Sequence, residues 1–488
     1  MPAFDSLSRL LGVLAAILGT YGATVYWRAG LSLSHYDAKA HLVVARRVFD
    51  SLTPSWEQFG AVWLPLPHVL NAIPVQIDWM YRTGASAIAL SVVCFAVTVA
   101  SVSAIVRTAN GTRVGAILAA AVFALNPNVI YLQSTPMTEP LLFALSSLVV
   151  LHLTQWVASD EIRITRAAGW TIVAASLTRY EAWPIIGAAM GLAAIAKWQR
   201  GAAFQAVARE TAKLAIYPAL AVVFFLGWSY ASTGVWFTTG GFYVPDPKLQ
   251  GQFGAVWTAI RDGVESLGGS TLVDAAEICA ALLLFAVTRR QWTLMLMPLA
   301  LLAAMALPAY AYYSGHPFRI RYEVPLILGA AVCIGTAVSM LRLAAPLVAV
   351  PLLFFIAREA PAFDRQAPMI VEAQLDRQNG IGRRAVTECL ARDYDGTTIM
   401  ASMGSLAHYM QELSRDGFDL ADFIHEGSGP IWQRAYYAEP SLFAGWVMVE
   451  EAAEGGDLLH QKHVAWPGFL AGYERVCEGG NVALYRRR

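Results

Sequence analysis

Charge is what this sequence has least of. Only 14% of its 488 residues are charged, where a soluble domain carries about 25%. Its 35 basic and 35 acidic residues cancel, so there is no basic excess of the kind that binds nucleic acid. Cysteine is scarce too: there are five, with no spacing that suggests a zinc site or a redox pair. No repeat of solenoid period and no inverted half-repeat is visible. What is abundant is apolar: 57% of the chain is hydrophobic, and mean hydropathy is +0.48.

The few charges are unevenly placed. From Arg358 to the end there are 13 basic and 19 acidic residues, an ordinary soluble density with a net charge of −6. The preceding 357 residues hold less than half that density. This predicts a polytopic α-helical membrane domain over 1–357 and a soluble domain over 358–488.

A spanning helix needs about 20 mostly apolar residues. About eleven segments qualify, near 8–27, 84–106, 114–132, 138–157, 167–178, 183–197, 214–231, 272–288, 291–310, 323–341 and 343–357. The fifth and sixth are short and are separated by Arg179, Tyr180 and Glu181. No small-residue cleavage site follows Tyr21–Trp27, so the first segment reads as a helix and not as a cleaved signal peptide.

With the N-terminus inside, alternate turns carry Arg107 and Arg113; Arg163 and Arg166; Lys197, Arg200, Arg209 and Lys213; Arg289 and Arg290; and Arg342. Basic residues favour the cytoplasmic side. The expectation is an inner-membrane protein with a cytoplasmic N-terminus and an extracytoplasmic C-terminal domain. The outer side then receives a long first loop, 28–83, with amphipathic helices. It also receives the Gln133–Glu139 connection, the Thr178–Glu181 turn, a Gly- and aromatic-rich loop over 232–271, and the segment Tyr312–Glu323.

Those loops hold the candidate chemistry. Asp37 opens a helical stretch in the first loop, where a helix N-terminus favours the ionised carboxylate. It reads equally as an N-terminal cap or as a general base beside an apolar cleft. His41, one turn on, shares its face. The apolar residues from Leu42 to Phe49 would let this helix lie in the membrane interface. Glu139 begins the fourth span just before Pro140, either as a first-turn acid or as part of a site. Arg179 and Glu181 either pair with each other or mark a functional path, since charge at such depth is costly. Arg319 and Arg321, beside His316 and Tyr322, run against the inside bias. Two outer arginines suit an anion such as phosphate, or else act as snorkelling anchors.

The tail reads as α/β. Residues 381–391 and 405–415 have helical apolar spacing, while 397–401 and 446–450 read as strands. Residues 473–477 and 481–486 flank Gly479-Gly480, a hairpin signal. Cys94, Cys279 and Cys333 fall in expected spans as packing residues. Cys389 and Cys477 both fall in the tail, where an oxidising compartment would permit a bridge. They read either as a disulfide or as two separate buried thiols.

Several of these stretches resemble the GT-C superfamily of membrane glycosyltransferases. His35-Tyr36-Asp37-Ala38-Lys39 resembles the start of that superfamily's first outer loop, and Trp63-Leu64-Pro65-Leu66-Pro67-His68 looks like its later part. Met137-Thr138-Glu139-Pro140-Leu141-Leu142 resembles the third-to-fourth helix connection of the protein O-mannosyltransferase and aminoarabinose-transferase branch. Leu177–Trp183 is similar to a further element of bacterial members, and Arg321-Tyr322-Glu323-Val324-Pro325 to their Arg-Tyr-x-x-Pro stretch. The sequence departs from many members in one place: Ala38 follows Asp37 where they carry an Asp-Glu pair, although other branches have a single Asp.

The resemblance implies inverting transfer of a sugar from a polyprenyl-phosphate donor to a glycan, lipid or protein acceptor on the outer face. Asp37 would take the acceptor proton, with Glu139 as the second catalytic carboxylate. Arg321, Arg319 and Arg179 would hold the departing phosphate. Tyr36, Lys39, His41, His68, Glu181, His316 and Tyr322 are further candidates around the site. A divalent metal is compatible with these residues, but no ligand set demands one. Two other classes stand against this reading. A secondary transporter would place its charges at mid-membrane on broken helices with half-repeats; an envelope-assembly protein would need no acid–arginine cluster.

Overall fold

The computed structural model describes residues 4–237, 244–288 and 290–488. These form two compact units. The first comprises Met1–Arg28, Ile88–Trp228 and Pro245–Val371; the second comprises Ala29–Ala87, Ser229–Val244 and Glu372–Arg488. Compactness therefore groups the long first connection with the C-terminal residues.

The first unit is helical. Among the described residues six helices are long and apolar enough to cross a membrane: Ser6–Arg28, Ala85–Thr108, Glu139–Ala158, Phe204–Thr233, Trp292–Tyr313 and Ile320–Glu359. A bent pair, Phe253–Gly268 and Ser270–Leu284, makes a seventh if counted as one span; it turns through 118°. The eleven expected spans are not shown. Apolar length alone cannot separate a full crossing from a short buried helix. Arg113–Ala124 and Arg166–Ser176 have only 12 and 11 residues. The expected spans at 323–341 and 343–357 lie within one 40-residue helical run. That run is broken at Arg342, whose φ is +50°. At 1.5 Å per residue, 40 residues would reach about 60 Å, twice a bilayer core.

Small residues let these helices approach. A Cβ on Gly12 would sit 3.1 Å from that of Ala100, and one on Gly22 3.0 Å from Gln133 and Ile130. Such close backbone approach drives helix association where the hydrophobic effect cannot. Asn128, fully buried, donates to Leu267 O and accepts from the Met369 amide, tying three distant segments together.

The second unit is α/β. Strands β1 (Ile399–Ala401), β2 (Phe423–Ile424), β3 (Trp446–Glu450), β4 (Tyr473–Gly479) and β5 (Val482–Arg487) form a sheet in the order β2-β1-β3-β5-β4. The first three run parallel; β5 is antiparallel to β3 and β4. The hairpin turns at Gly480 and Asn481, both with positive φ. Helices Pro368–Asp393 and Met403–Leu413 supply the expected amphipathic faces. One core cluster joins Leu390, Leu406 and Met410 of these helices to Ile399, Trp446 and Leu484 of the sheet. Ala40, Leu42, Val43 and Ala45 of the first-connection helix Tyr36–Arg46 complete it. Cys389 and Cys477 are joined as a disulfide with Cα atoms 6.6 Å apart, while Cys94, Cys279 and Cys333 are free and buried.

Candidate functional site

In the first unit, three widely separated connections bring charge together. Glu139 is the first residue of its helix, is followed by Pro140, and is fully buried. A proline there costs nothing, since the first-turn amides have no intrahelical acceptor. Arg179 stands in the turn between helices Arg166–Ser176 and Ala182–Gln199. Its Nη1 donates to Glu139 Oε1 and to Thr138 Oγ1, both at 2.9 Å, and its Nη2 donates to Glu181 Oε1 at 2.6 Å. Burial opposes the charge on Arg179, but the two carboxylates outweigh it and raise its pKa further. Arg321 lies close enough to repel the Arg179 guanidinium. Glu139 Oε2 is buried and accepts no hydrogen bond among the described residues.

Arg321 lies on a short 3₁₀ turn, Ile320–Glu323, that leads into the helix Val324–Val338. The Tyr312 hydroxyl, itself buried, donates to Glu323 Oε1 at 2.7 Å and accepts from the Arg319 amide at 3.2 Å. It pins the turn from the preceding helix. Arg319 is exposed and Arg321 is half-buried with its guanidinium over Tyr322. The His316 ring lies 5.5 Å from Tyr322, and its Nδ1 is 2.7 Å from Pro317 O. Thr138, Tyr312 and Glu323 take part without having been singled out as candidate site residues. Thr138 and Glu323 lie in the stretches that carry the family resemblance, and Tyr312 lies one helical turn before His316.

In the second unit, Asp37 is in the first turn of Tyr36–Arg46 and is 8% exposed. It is not the cap: His35 is, accepting from the Asp37 amide through Nδ1 at 3.2 Å. The helix does not offer an apolar face to a membrane interface, because every residue from Asp37 to Arg46 is buried. The exposed apolar residues of the connection come later and include Ile73, Ile77 and Trp79. Lys39 pairs with Glu412. His41 Nδ1 is 3.0 Å from His68 Nε2, and both rings lie against Trp63. Burial, helped by Arg47, pushes His68 down to about 3, so it is neutral. Lys39, His41 and His68 are therefore engaged in the packing of their own unit. The Tyr36 hydroxyl donates to Gly404 O at 2.7 Å. Gly240, Gly241, Phe242, Tyr243 and Arg289 lie outside the described residues.

No three of the described His, Cys, Asp and Glu residues gather into a group that could hold a metal ion.

The first unit has long apolar helices with an acid–arginine cluster on its connections, and the second is a small mixed-sheet unit; this is the make-up of a polytopic membrane protein. The crystal structure of the Archaeoglobus fulgidus oligosaccharyltransferase, in complex with Zn and sulfate, matches 90% of this chain and 68% of its own, at a TM-score of 0.51 and 14% identity. That likeness establishes the fold. No family model matches the sequence, and no curated protein does.

Proposed function

We propose that the protein is an inverting glycosyltransferase that moves a sugar from a polyprenyl phosphate to an acceptor on the extracytoplasmic face of the membrane. One observation carries this reading: connections at 139, 179–181 and 321 deliver two arginines and two carboxylates to one cluster in the helical unit. Arg179 is saturated by its own carboxylates and orients Glu139. Arg321 and Arg319 are the donor-phosphate ligands in this reading, as the family resemblance implies, and the Glu139 Oε2 oxygen is a place for an acceptor or sugar hydroxyl. The fold of an oligosaccharyltransferase supports the same class of chemistry.

In the proposed step an acceptor oxygen attacks the anomeric carbon. The carbon–oxygen bond to phosphate breaks, through an oxocarbenium-like transition state, and the polyprenyl phosphate leaves with the bonding electrons. Arg321 and Arg319 stabilise that leaving group, so no acid is needed. The acceptor proton goes to Asp37, the carboxylate the family resemblance assigns as base. No metal step is included. The topology proposed with this reading has the N-terminus in the cytoplasm and Asp37, Glu139, Arg179 and Arg321 facing outward.

The test is transfer from radiolabelled mannosyl, glucosyl and arabinosyl polyprenyl phosphates by the purified protein in proteoliposomes. Release of polyprenyl phosphate with an inverted product is expected. Solute uptake without transfer from any donor would move the protein to the transporter class.

A further inference from the structure

The C-terminal unit surrounds Asp37 with polar anchors, and no reaction step yet uses them. They sit on both sides of it. Immediately before it, the Tyr36 amide donates to Asp376 Oδ2 at 2.8 Å, and the Tyr36 hydroxyl donates to Gly404 O at 2.7 Å. His35 Nε2 lies 3.5 Å from Glu372. Two residues after it, Lys39 pairs with Glu412, and Arg383 Nε holds the other oxygen of that carboxylate at 2.9 Å. The ring of Tyr36 also meets His408 edge-on, centroids 4.8 Å apart.

These partners come from helices Pro368–Asp393 and Met403–Leu413, more than 330 residues away in the chain. Apolar packing alone would hold Tyr36–Arg46 in place through Ala40, Leu42, Val43 and Ala45. The polar anchors are additional: one set holds the first turn, the turn that carries Asp37, and a separate set holds the far end, where Arg46 pairs with Asp50, Asp78 and Asp419. Lys39 and Arg383 are each about 5% exposed. Burying ions is costly unless they are paired, and such networks are retained where they fix one geometry. Apolar packing tolerates sliding and rotation; bonds to the amide and hydroxyl of one residue and the ammonium three positions on do not.

Resting on the assignment of Asp37 as base, we propose that Asp376, Glu412 and Arg383 are positioning residues, which lock the first turn of helix Tyr36–Arg46 and so hold the Asp37 carboxylate at the angle its proton transfer needs. A catalytic group displaced by about 1 Å can lose 10²-fold in rate. That is the scale of effect to be read.

The experiment uses the full chain in lipid nanodiscs. Glu412→Gln removes one charge at constant shape, Asp376→Ala removes the acceptor of the Tyr36 amide, and Tyr36→Phe removes one hydroxyl. Three quantities are measured: hydrogen exchange of the amides of residues 36–40, affinity for undecaprenyl phosphate, and turnover with the donors named above. The expected result is exchange at least about tenfold faster, confined to that turn, with kcat down about 10- to 100-fold and undecaprenyl phosphate affinity within about twofold. Wild-type exchange and turnover in all three variants would overturn the positioning role. So would faster exchange spread evenly over residues 372–488, since that is loss of structure and not of aim. Asp37→Asn run alongside separates the two ideas: wild-type turnover there removes the base assignment, whereas loss there with no effect of the three variants removes only the positioning.

Discussion

Arg179 Nη1 lies 2.9 Å from Glu139 Oε1, a bond that joins two turns 40 residues apart. The same guanidinium holds Glu181 at 2.6 Å, so a single arginine pairs with two buried carboxylates. Removing it leaves both without a partner. Arg179→Ala should cost about 3–5 kcal/mol, the usual penalty for stranding a buried charge. Arg179→Lys should lose less, keeping the charge but not the fork. Thermal unfolding of the purified protein reads the difference, and equal melting of Arg179→Ala and wild type would mean that the triad bears no structural weight.

Asp37→Asn removes a proton acceptor and keeps the side-chain shape. Turnover should fall by about 10²–10⁴, the usual worth of a general base, with polyprenyl-phosphate affinity unchanged. Transfer at the wild-type rate would exclude Asp37 as the base.

Arg321 is proposed to bind the donor phosphate, and charge and fork should then contribute separately. Arg321→Ala should weaken binding of undecaprenyl phosphate, and Arg321→Lys should restore it only in part, because an ammonium cannot make the bidentate contact. Equal affinity in all three proteins would leave Arg321 as an interfacial anchor.

Lys39 gives a pH test. Burial pushes its pKa from 10.5 to about 8; Glu412 pulls the other way, and Arg383 and Arg415 add to the fall. The pair with Glu412 is therefore lost as pH rises through about 8. Because the folded-state pKa lies below the unfolded one, the unfolded chain binds the extra proton between about 8 and 10.5. Over that window this group makes global stability rise with pH. Turnover should nevertheless fall with an apparent pKa near 8, and Lys39→Arg should move that fall upward. A fall that stays in place in Lys39→Arg belongs to another group.

The Cys389–Cys477 bridge closes 88 residues of chain. A chain-entropy argument gives it roughly 4–5 kcal/mol. Thiol counting on the unfolded, unreduced protein should find three thiols, those of Cys94, Cys279 and Cys333; five would mean that no bridge forms. Cys389→Ser should lower the unfolding temperature of the C-terminal unit and raise the free thiol count by one.

The sequence by itself determined the class of structure. Low charge density and apolar runs specify membrane helices, because a bilayer rejects unpaired polar groups. The Gly479-Gly480 turn signal, with the helical spacing at 381–391 and 405–415, specified elements of the tail, because turn chemistry and helical period follow from local backbone geometry. It also marked the charges that stand among apolar runs, since an ion in an apolar stretch is conspicuous whatever the fold. Only the tertiary structure decided what those charges touch. Arg179 could have met phosphate, Glu181 or nothing; it meets Glu139, Thr138 and Glu181 together. The apolar residues after Asp37 fit a membrane interface as well as a protein core, and only the fold shows them packed under Leu406, Met410 and Trp446. Lys39 finds Glu412 across 373 residues, and Cys389 finds Cys477 across 88. Such pairings depend on how separate elements pack, and no local pattern records the partner that lies across the chain.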